Sequence, residues 1–398
     1  MLGLLLARAG IDVTVIEKHA DFLRDFRGDT IHPSTLELMH ELGILERFLE
    51  RPHQEAREIT AEIGSQAFRI ADFSHLPTTC KYIAFMPQWD FLDFIRAEAN
   101  RYPNFHLMME TEVRELLMQN RTIAGLRVMT KDGPQDLRAA LTIGADGRAS
   151  RVREAARFQV IEIGAPFDVL WLKLPAKPTD PHEPVGRFQG GQFFIMLYRG
   201  EYWQCAMIIP KGGFDKLKAE GIAGFRSRLR TVAAFARDRV DTITSFDDVS
   251  LLTVKIDRLR RWARAGLLCI GDAAHAMSPV GGVGINLAIQ DAVATANLLA
   301  PTLREGEVPS LKQLLRVQKR RNFPTKATQF FQLQAQNRVL APSFRTQVTP
   351  TPPAFLHVLN RVAALRRFIA RMIGVGVRPE HIAVKEWAVK ETSALASA

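Results

Sequence analysis

The decisive stretch is Gly271-Asp272-Ala273-Ala274-His275-Ala276-Met277-Ser278-Pro279-Val280-Gly281-Gly282-Val283-Gly284-Ile285-Asn286-Leu287-Ala288. The apolar run Leu267 to Ile270 before it predicts a short buried strand. That strand ends at Gly271, where small residues let a ligand approach the backbone closely. Asp272 offers a carboxylate that can accept hydrogen bonds from a polyol, although an aspartate here can also simply cap a turn. The loop through Pro279 and Gly282 leads to a helix beginning near Gly284 and Ile285. A helix start presents free N–H groups and partial positive charge, the polarity an anionic ligand needs. Asn286 either starts that helix or orients the loop. His275 invites a catalytic-base reading, but a histidine in a tight buried loop more often packs and hydrogen-bonds.

Two segments upstream carry related patterns. Gly144-Ala145-Asp146-Gly147-Arg148-Ala149-Ser150-Arg151-Val152-Arg153 is again a strand end, a glycine and a helix start. At the beginning, residues 2 to 9 read as a helix, Gly10 as the residue just past it, and Asp12 to Glu17 as a buried strand ending in an acid. Helix, tight turn, β-branched strand and acid form the second half of a Rossmann βαβ unit. Ten residues past Glu17 stands Arg27, in Arg27-Gly28-Asp29-Thr30-Ile31-His32-Pro33.

Further out, the spacing predicts one helix over Ser34 to Leu49 and short strands over 58 to 86. An amphipathic helix over Asp90 to Arg101 follows, then several strands over 105 to 145 with turns at Gln119-Asn120 and Asp132-Gly133-Pro134. Residues 157 to 256 are strand-rich with one helical segment near 222 to 240, and Ser310 to Leu340 is helical. Four prolines within 342 to 353 make a spacer. A basic amphipathic helix over Ala354 to Ile373 follows, and the tail from Glu391 is expected to be disordered. That helix supports two readings: a membrane-surface element, or a helix packed on the domain with a solvated basic face.

Composition narrows the class. The 398 residues are 47% hydrophobic and 24% charged, an ordinary globular balance. Of 53 Lys/Arg and 42 Asp/Glu, 16 and 5 follow residue 300, leaving 37 of each before it. The net charge of +11 therefore belongs to the C-terminal part alone, and no nucleic-acid motif accompanies it. The partner expectations are no nucleic acid and an open oligomeric state. Three scattered cysteines, Cys80, Cys205 and Cys269, form neither a disulfide framework nor a metal cluster. The expected location is the cytoplasm, with membrane-surface contact through the basic helix as a possibility.

In matching order over residues 1 to about 330, the three segments together resemble the class A flavoprotein monooxygenases, the family of p-hydroxybenzoate hydroxylase and the ubiquinone-biosynthesis hydroxylases. The resemblance implies an α/β chain in which a Rossmann-like FAD-binding domain (1–57, 88–156 and 257–340) interleaves with a β-sheet substrate domain (58–87 and 157–256), followed by a C-terminal helix and tail (341–398). It assigns Gly271 and Asp272 to the ribityl chain. Asp146 and Gly147, with Arg148 and Arg153, help hold FAD and the nicotinamide cofactor. It gives Glu17 the adenosine ribose, Arg27 the FAD phosphates and Gln88 a flavin-proximal place. Pro279, Gly282, Gly284, Ile285 and Asn286 fall in the loop and helix start under the pyrimidine ring. The implied chemistry is reduction of FAD by NADH or NADPH, addition of O2, and transfer of one oxygen atom from a flavin C4a-hydroperoxide to an aromatic or lipophilic small molecule. No residue is assigned as catalytic acid or base. The rivals are a flavin-dependent dehydrogenase or reductase of the same fold and a chain unable to hold FAD; a WxWxIP stretch, the halogenase mark, is missing.

One departure shapes the expectation. The ribose-binding acid of such units lies about 20 residues past a GxGxxG turn. With Glu17 as that acid, the turn would precede residue 1, so the chain as written is expected to start late, with an N-terminally shortened Rossmann unit.

Overall fold

Strand Phe167–Pro175 carries two apolar sets on alternate residues, as a strand buried on both faces must. Leu170, Leu172 and Leu174 lie in one core with Trp203, Cys205 and Met207 of strand Tyr202–Pro210. Helices Phe214–Ala219 and Gly221–Val232 cover that face through Phe214, Leu217, Phe225 and Leu229. Phe167 and Val169 point the other way, with Ala206, Ile208 and Phe188. Their cover is Leu356 and Leu359 from the C-terminal region and Val280 from the glycine-rich loop. The period of two thus sets the loop against the inner face of the sheet.

The computed structural model describes residues 1–23, 30–340 and 352–387. The sheet has seven strands, in the order Ser250–Leu252, Phe167–Pro175, Tyr202–Pro210, Gln192–Tyr198, Val185–Gln189, Glu58–Ile63, Gln66–Asp72. Parallel pairing of Gly186 with Ala61 joins the early hairpin to the later strands.

The remaining layers are built on the helix Gly284–Arg304. Ile289, Val293 and Ala296 face one core, shared with Leu4, Leu5, Leu36 and Phe91. Ala292 and Leu299 face another, shared with Leu267, Leu268 and Leu314. Each of the valine, leucine, isoleucine and phenylalanine side chains among them contributes about 1.5–3 kcal/mol on burial. The segment Val280–Arg304 is long and apolar enough to cross a bilayer, yet its apolar side chains sit largely inside this core. Two parallel strand pairs flank it: Val13–Ile16 with Phe105–Met108, and Thr142–Gly144 with Leu267–Cys269. Helix Leu2–Arg8 lies on the first pair, and a Cβ at Gly3 would come within 2.8 Å of both Val15 and Phe105. Gly3 is thus a packing glycine.

Several expected elements are broken where local chemistry intervenes. The single helix over Ser34 to Leu49 is two, Pro33–Glu41 and Leu45–Leu49, because the chain passes through Gly43 at φ +68. The helix over Ala354 to Ile373 is also two, Ala354–Arg361 and Ala363–Gly374, parted by extended backbone at Val362. The helix from Ser310, capped by a reciprocal Ser310–Gln313 pair, ends at Ala335 and continues as a π-helical turn, Gln336–Leu340. Two strands expected with the substrate sheet pair elsewhere. Ile83–Phe85, expected in the substrate sheet, pairs with Thr30–Ile31 and Gln54–Ala56. Val160–Glu162, expected there too, pairs with Asp257–Leu259. The spacer over 341–351 and the tail from 388 lie outside the described residues.

Candidate functional site

The loop after strand Leu267–Cys269 turns through Gly271 at φ +57, where a Cβ would meet the Ala288 Cβ at 2.9 Å. A fully buried carboxylate, Asp291, fixes this turn. One Asp291 oxygen accepts from the Gly271 amide (3.0 Å) and contacts His275 Nε2 (2.5 Å); the other accepts from Arg321 Nε (2.8 Å). Burial pushes the Asp291 carboxyl upward, but the His275 ring and the Arg321 guanidinium outweigh it and hold the group below its ordinary range. Arg321 in turn faces buried Glu380, which also holds Arg320. His275 is therefore part of a buried network behind the loop and does not line the cavity.

Asp272, on the open side of the same turn, lines a cavity of about 3040 Å³ and pairs with Arg148 Nη2 at 3.3 Å. Arg148 Nη1 is buried with no partner among the described residues. Arg153 donates to the Arg148 carbonyl (2.6 Å) and to Asp257 (3.3 Å), which anchors the turn carrying Arg148. Gly147, at φ +82, leaves open space where a side chain would be. Asp146 lines the cavity, yet its carboxylate accepts from Ser150 Oγ (2.5 Å) and the Val152 amide (3.1 Å). It thereby steadies Ser150, the N-cap of helix Arg151–Ala155, and takes one of the helix's free amides, while Arg148 stands beside it on the cavity wall.

The loop Pro279 to Ile285 lines the same cavity. Gly281 and Gly282 sit at φ +79 and +63, and a Cβ on Gly282 would fall 2.4 Å from Thr30 Oγ1. Thr30 Oγ1 donates to the Gly282 carbonyl at 2.9 Å. Asn286 is buried: its Oδ1 accepts from the His32 amide (2.9 Å) and Thr35 Oγ1 (2.7 Å), and its Nδ2 donates to the Thr30 carbonyl (3.0 Å). Asn286 thus ties the loop to Thr30, His32 and Thr35. Gln332 brackets the other side through Ser278 and Val280. The helix then starts at Gly284, so its free first amides belong to residues that line the cavity.

Glu17 ends strand Val13–Ile16 on the cavity wall and accepts from the His19 amide at 3.0 Å. Gln88 is the first residue of helix Gln88–Ala99 and lines the cavity as well. Arg27 lies outside the described residues. One cavity therefore gathers Glu17, Gln88, Asp146, Gly147, Gly271, Asp272, Pro279, Gly282, Gly284 and Ile285 from four separate parts of the sequence.

Residues 1–330 match the model of a family described as an FAD binding domain. The chain belongs to this FAD-binding family. The residues present fit the dinucleotide: a polyol acceptor at Asp272, a buried guanidinium N–H at Arg148 without a partner among the described residues, glycines at positive φ, and a helix start on the cavity wall. Within the family, 6-methylpretetramide 4-monooxygenase of Streptomyces rimosus is 33% identical over 384 residues, covering 93% of this chain and 88% of that one. Dialkyldecalin synthase of Streptomyces rugosporus is 27% identical over 317 residues, and the chain spans 65% of its length. Among solved structures, PqsL, a probable FAD-dependent monooxygenase from Pseudomonas aeruginosa, superposes with a TM-score of 0.72 at 22% identity, over 86% of this chain and 94% of that one. The fold is thus the family's, and this FAD-binding protein is an oxidoreductase of the flavoprotein monooxygenase type.

Asp291, Arg321, Gln332 and Thr30 escaped the sequence reading. Asp291 left a trace, an acid at a core position of an otherwise apolar helix face. Arg321 left none, standing in the basic run Lys319-Arg320-Arg321.

Proposed function

We propose that the chain hydroxylates an extended, ring-activated aromatic molecule in the apolar half of the cavity, using FAD, O2 and NADH or NADPH. The observation that carries this is continuity. The cavity wall that holds Asp272 and Arg148 also includes Phe167, Val169, Phe188, Phe193, Ile195 and Ile208 on the inner face of the seven-stranded sheet. A ligand pocket usually measures about 300–1,000 Å³. At about 3040 Å³, this one has room for a dinucleotide and a large second molecule.

Bound FAD supplies O2 activation and oxygen-atom transfer; the protein supplies position and electrostatics. Asp272 accepts hydroxyl hydrogens of the ribityl chain, with Arg148 holding its carboxylate in place. Glu17 takes the ribose hydroxyls, and Gln88 contributes to the same cavity wall. The Gly284 and Ile285 amides, at the positive end of a 21-residue helix, stabilise negative charge at the ring edge. The aromatic sheet face excludes water, which protects a reactive intermediate from unproductive breakdown. Cytoplasmic residence fits three buried, free cysteines.

The test is turnover under ¹⁸O2 with NADH or NADPH, using 6-methylpretetramide and simpler polycyclic phenols as probes. One ¹⁸O atom per product is the expected result. Product formed without label would replace this reading with a reductase or a non-oxidative activity.

A further inference from the structure

The helices Ala354–Arg361 and Ala363–Gly374 are apolar on two sides. Leu356, Leu359 and Ala370 are buried against strand Gln66–Asp72 and its sheet. On the outer side, Phe355, Val358, Val362, Leu365 and Phe368 follow at spacings of three and four, exposed between 41% and 55%. A surface helix ordinarily turns polar residues outward. Here the apolar stripe is flanked by exposed Arg361, Arg367 and Arg371. Asp72 lies near Arg367 and His75 at one edge of this face. All of the chain's net positive charge lies in the same C-terminal part. Two of the outer residues, Phe355 and Phe368, also line the substrate cavity, together with Met372. The stripe therefore runs from the outside of the molecule into the mouth of the site.

A second copy of the chain would bring like charges together on this face. An anionic bilayer satisfies both features at once: headgroups take the arginines while Phe, Val and Leu enter the acyl boundary. We propose that this outer face docks on an anionic phospholipid surface, so that the mouth at Phe355 and Phe368 receives lipophilic substrate from the bilayer. The delivery half of this proposal rests on the proposed function; the docking half does not.

Sedimentation of the full chain with phosphatidylcholine vesicles, with and without phosphatidylglycerol, tests it. Binding is expected only with phosphatidylglycerol, and it weakens as salt rises. The variants Val358→Ser/Val362→Ser/Leu365→Ser and Arg361→Gln/Arg367→Gln/Arg371→Gln, none of which touches the flavin segments, each lower partitioning by roughly tenfold or more. Their FAD affinity stays at the parent value, which shows that both remain folded. Docking is overturned if the parent chain ignores phosphatidylglycerol, if both variants bind like the parent, or if ultracentrifugation finds a dimer that the Val/Leu variant dissociates. Loss of FAD binding or oxygen transfer with docking intact would instead count against the proposed function.

Discussion

At the scale of single residues, the site divides into groups that face the ligand and groups that hold them. Asp272 faces it, so Asp272→Ala should raise the FAD Kd by roughly tenfold to a hundredfold, the worth of one or two hydrogen bonds to a charged group. Its effect on stability should be small, because the side chain is half open to the cavity. Asp291 behaves in the opposite way. It is fully buried against Arg321 and His275, so Asp291→Ala strands a buried guanidinium and should cost about 3–5 kcal/mol, read as a lowered urea midpoint. A variant as stable as the parent would show that the network behind the loop carries no weight. Asp272 was legible because a lone acid in a glycine-rich loop advertises itself. The capping work of Asp146 was not, since a cap and a ligand contact look identical in sequence until Ser150 and Val152 are seen beside it.

At the scale of elements, glycine conformation and helix starts decide the geometry. Gly282 is held at φ +63 with Thr30 where its Cβ would be. Gly282→Ala should therefore weaken FAD binding by roughly tenfold or more, from strain of about 1–2 kcal/mol plus the displaced Thr30. Adding Thr30→Ala should recover part of that loss but not all, since the backbone strain stays. Equal affinity in the single and double variants would mean that the contact with Thr30 is irrelevant to the loop. Strand and helix types were readable from periodicity, as in the alternation of Phe167–Pro175 and the apolar stripe of Gly284–Arg304. Breaks were harder to read. Gly43 interrupts a helix whose apolar spacing continues unbroken past it, and Val362 parts two helices with no proline or glycine to announce the joint.

At the scale of the whole molecule, the early hairpin Glu58–Asp72 closes the substrate sheet and the C-terminal helices cover it, so distant parts of the chain enclose one cavity. No local pattern encodes that closure, because the pairing of Gly186 with Ala61 depends on chain segments more than a hundred residues apart. Acid should reveal how the sheet is held to its helices. Burial would raise the Asp180 carboxyl, but hydrogen bonds from Arg239, the Lys177 amide and Trp203 hold it at about 2. A carboxyl lowered in the folded state stabilises the fold fully above its unfolded value of 3.8, and that contribution is lost as pH falls from about 4 toward 2. Asp180→Asn should lower stability at neutral pH and flatten its fall over that acid window; an unchanged acid profile would assign the loss to other groups.

The central claim is that the described cleft holds FAD, and calorimetric titration of FAD into the full chain tests it most directly. The predicted result is one FAD per chain, with the Kd raised at least roughly tenfold by Asp272→Ala and by Gly282→Ala. Binding of equal strength in the parent chain and both variants, or none in any of them, would contradict it.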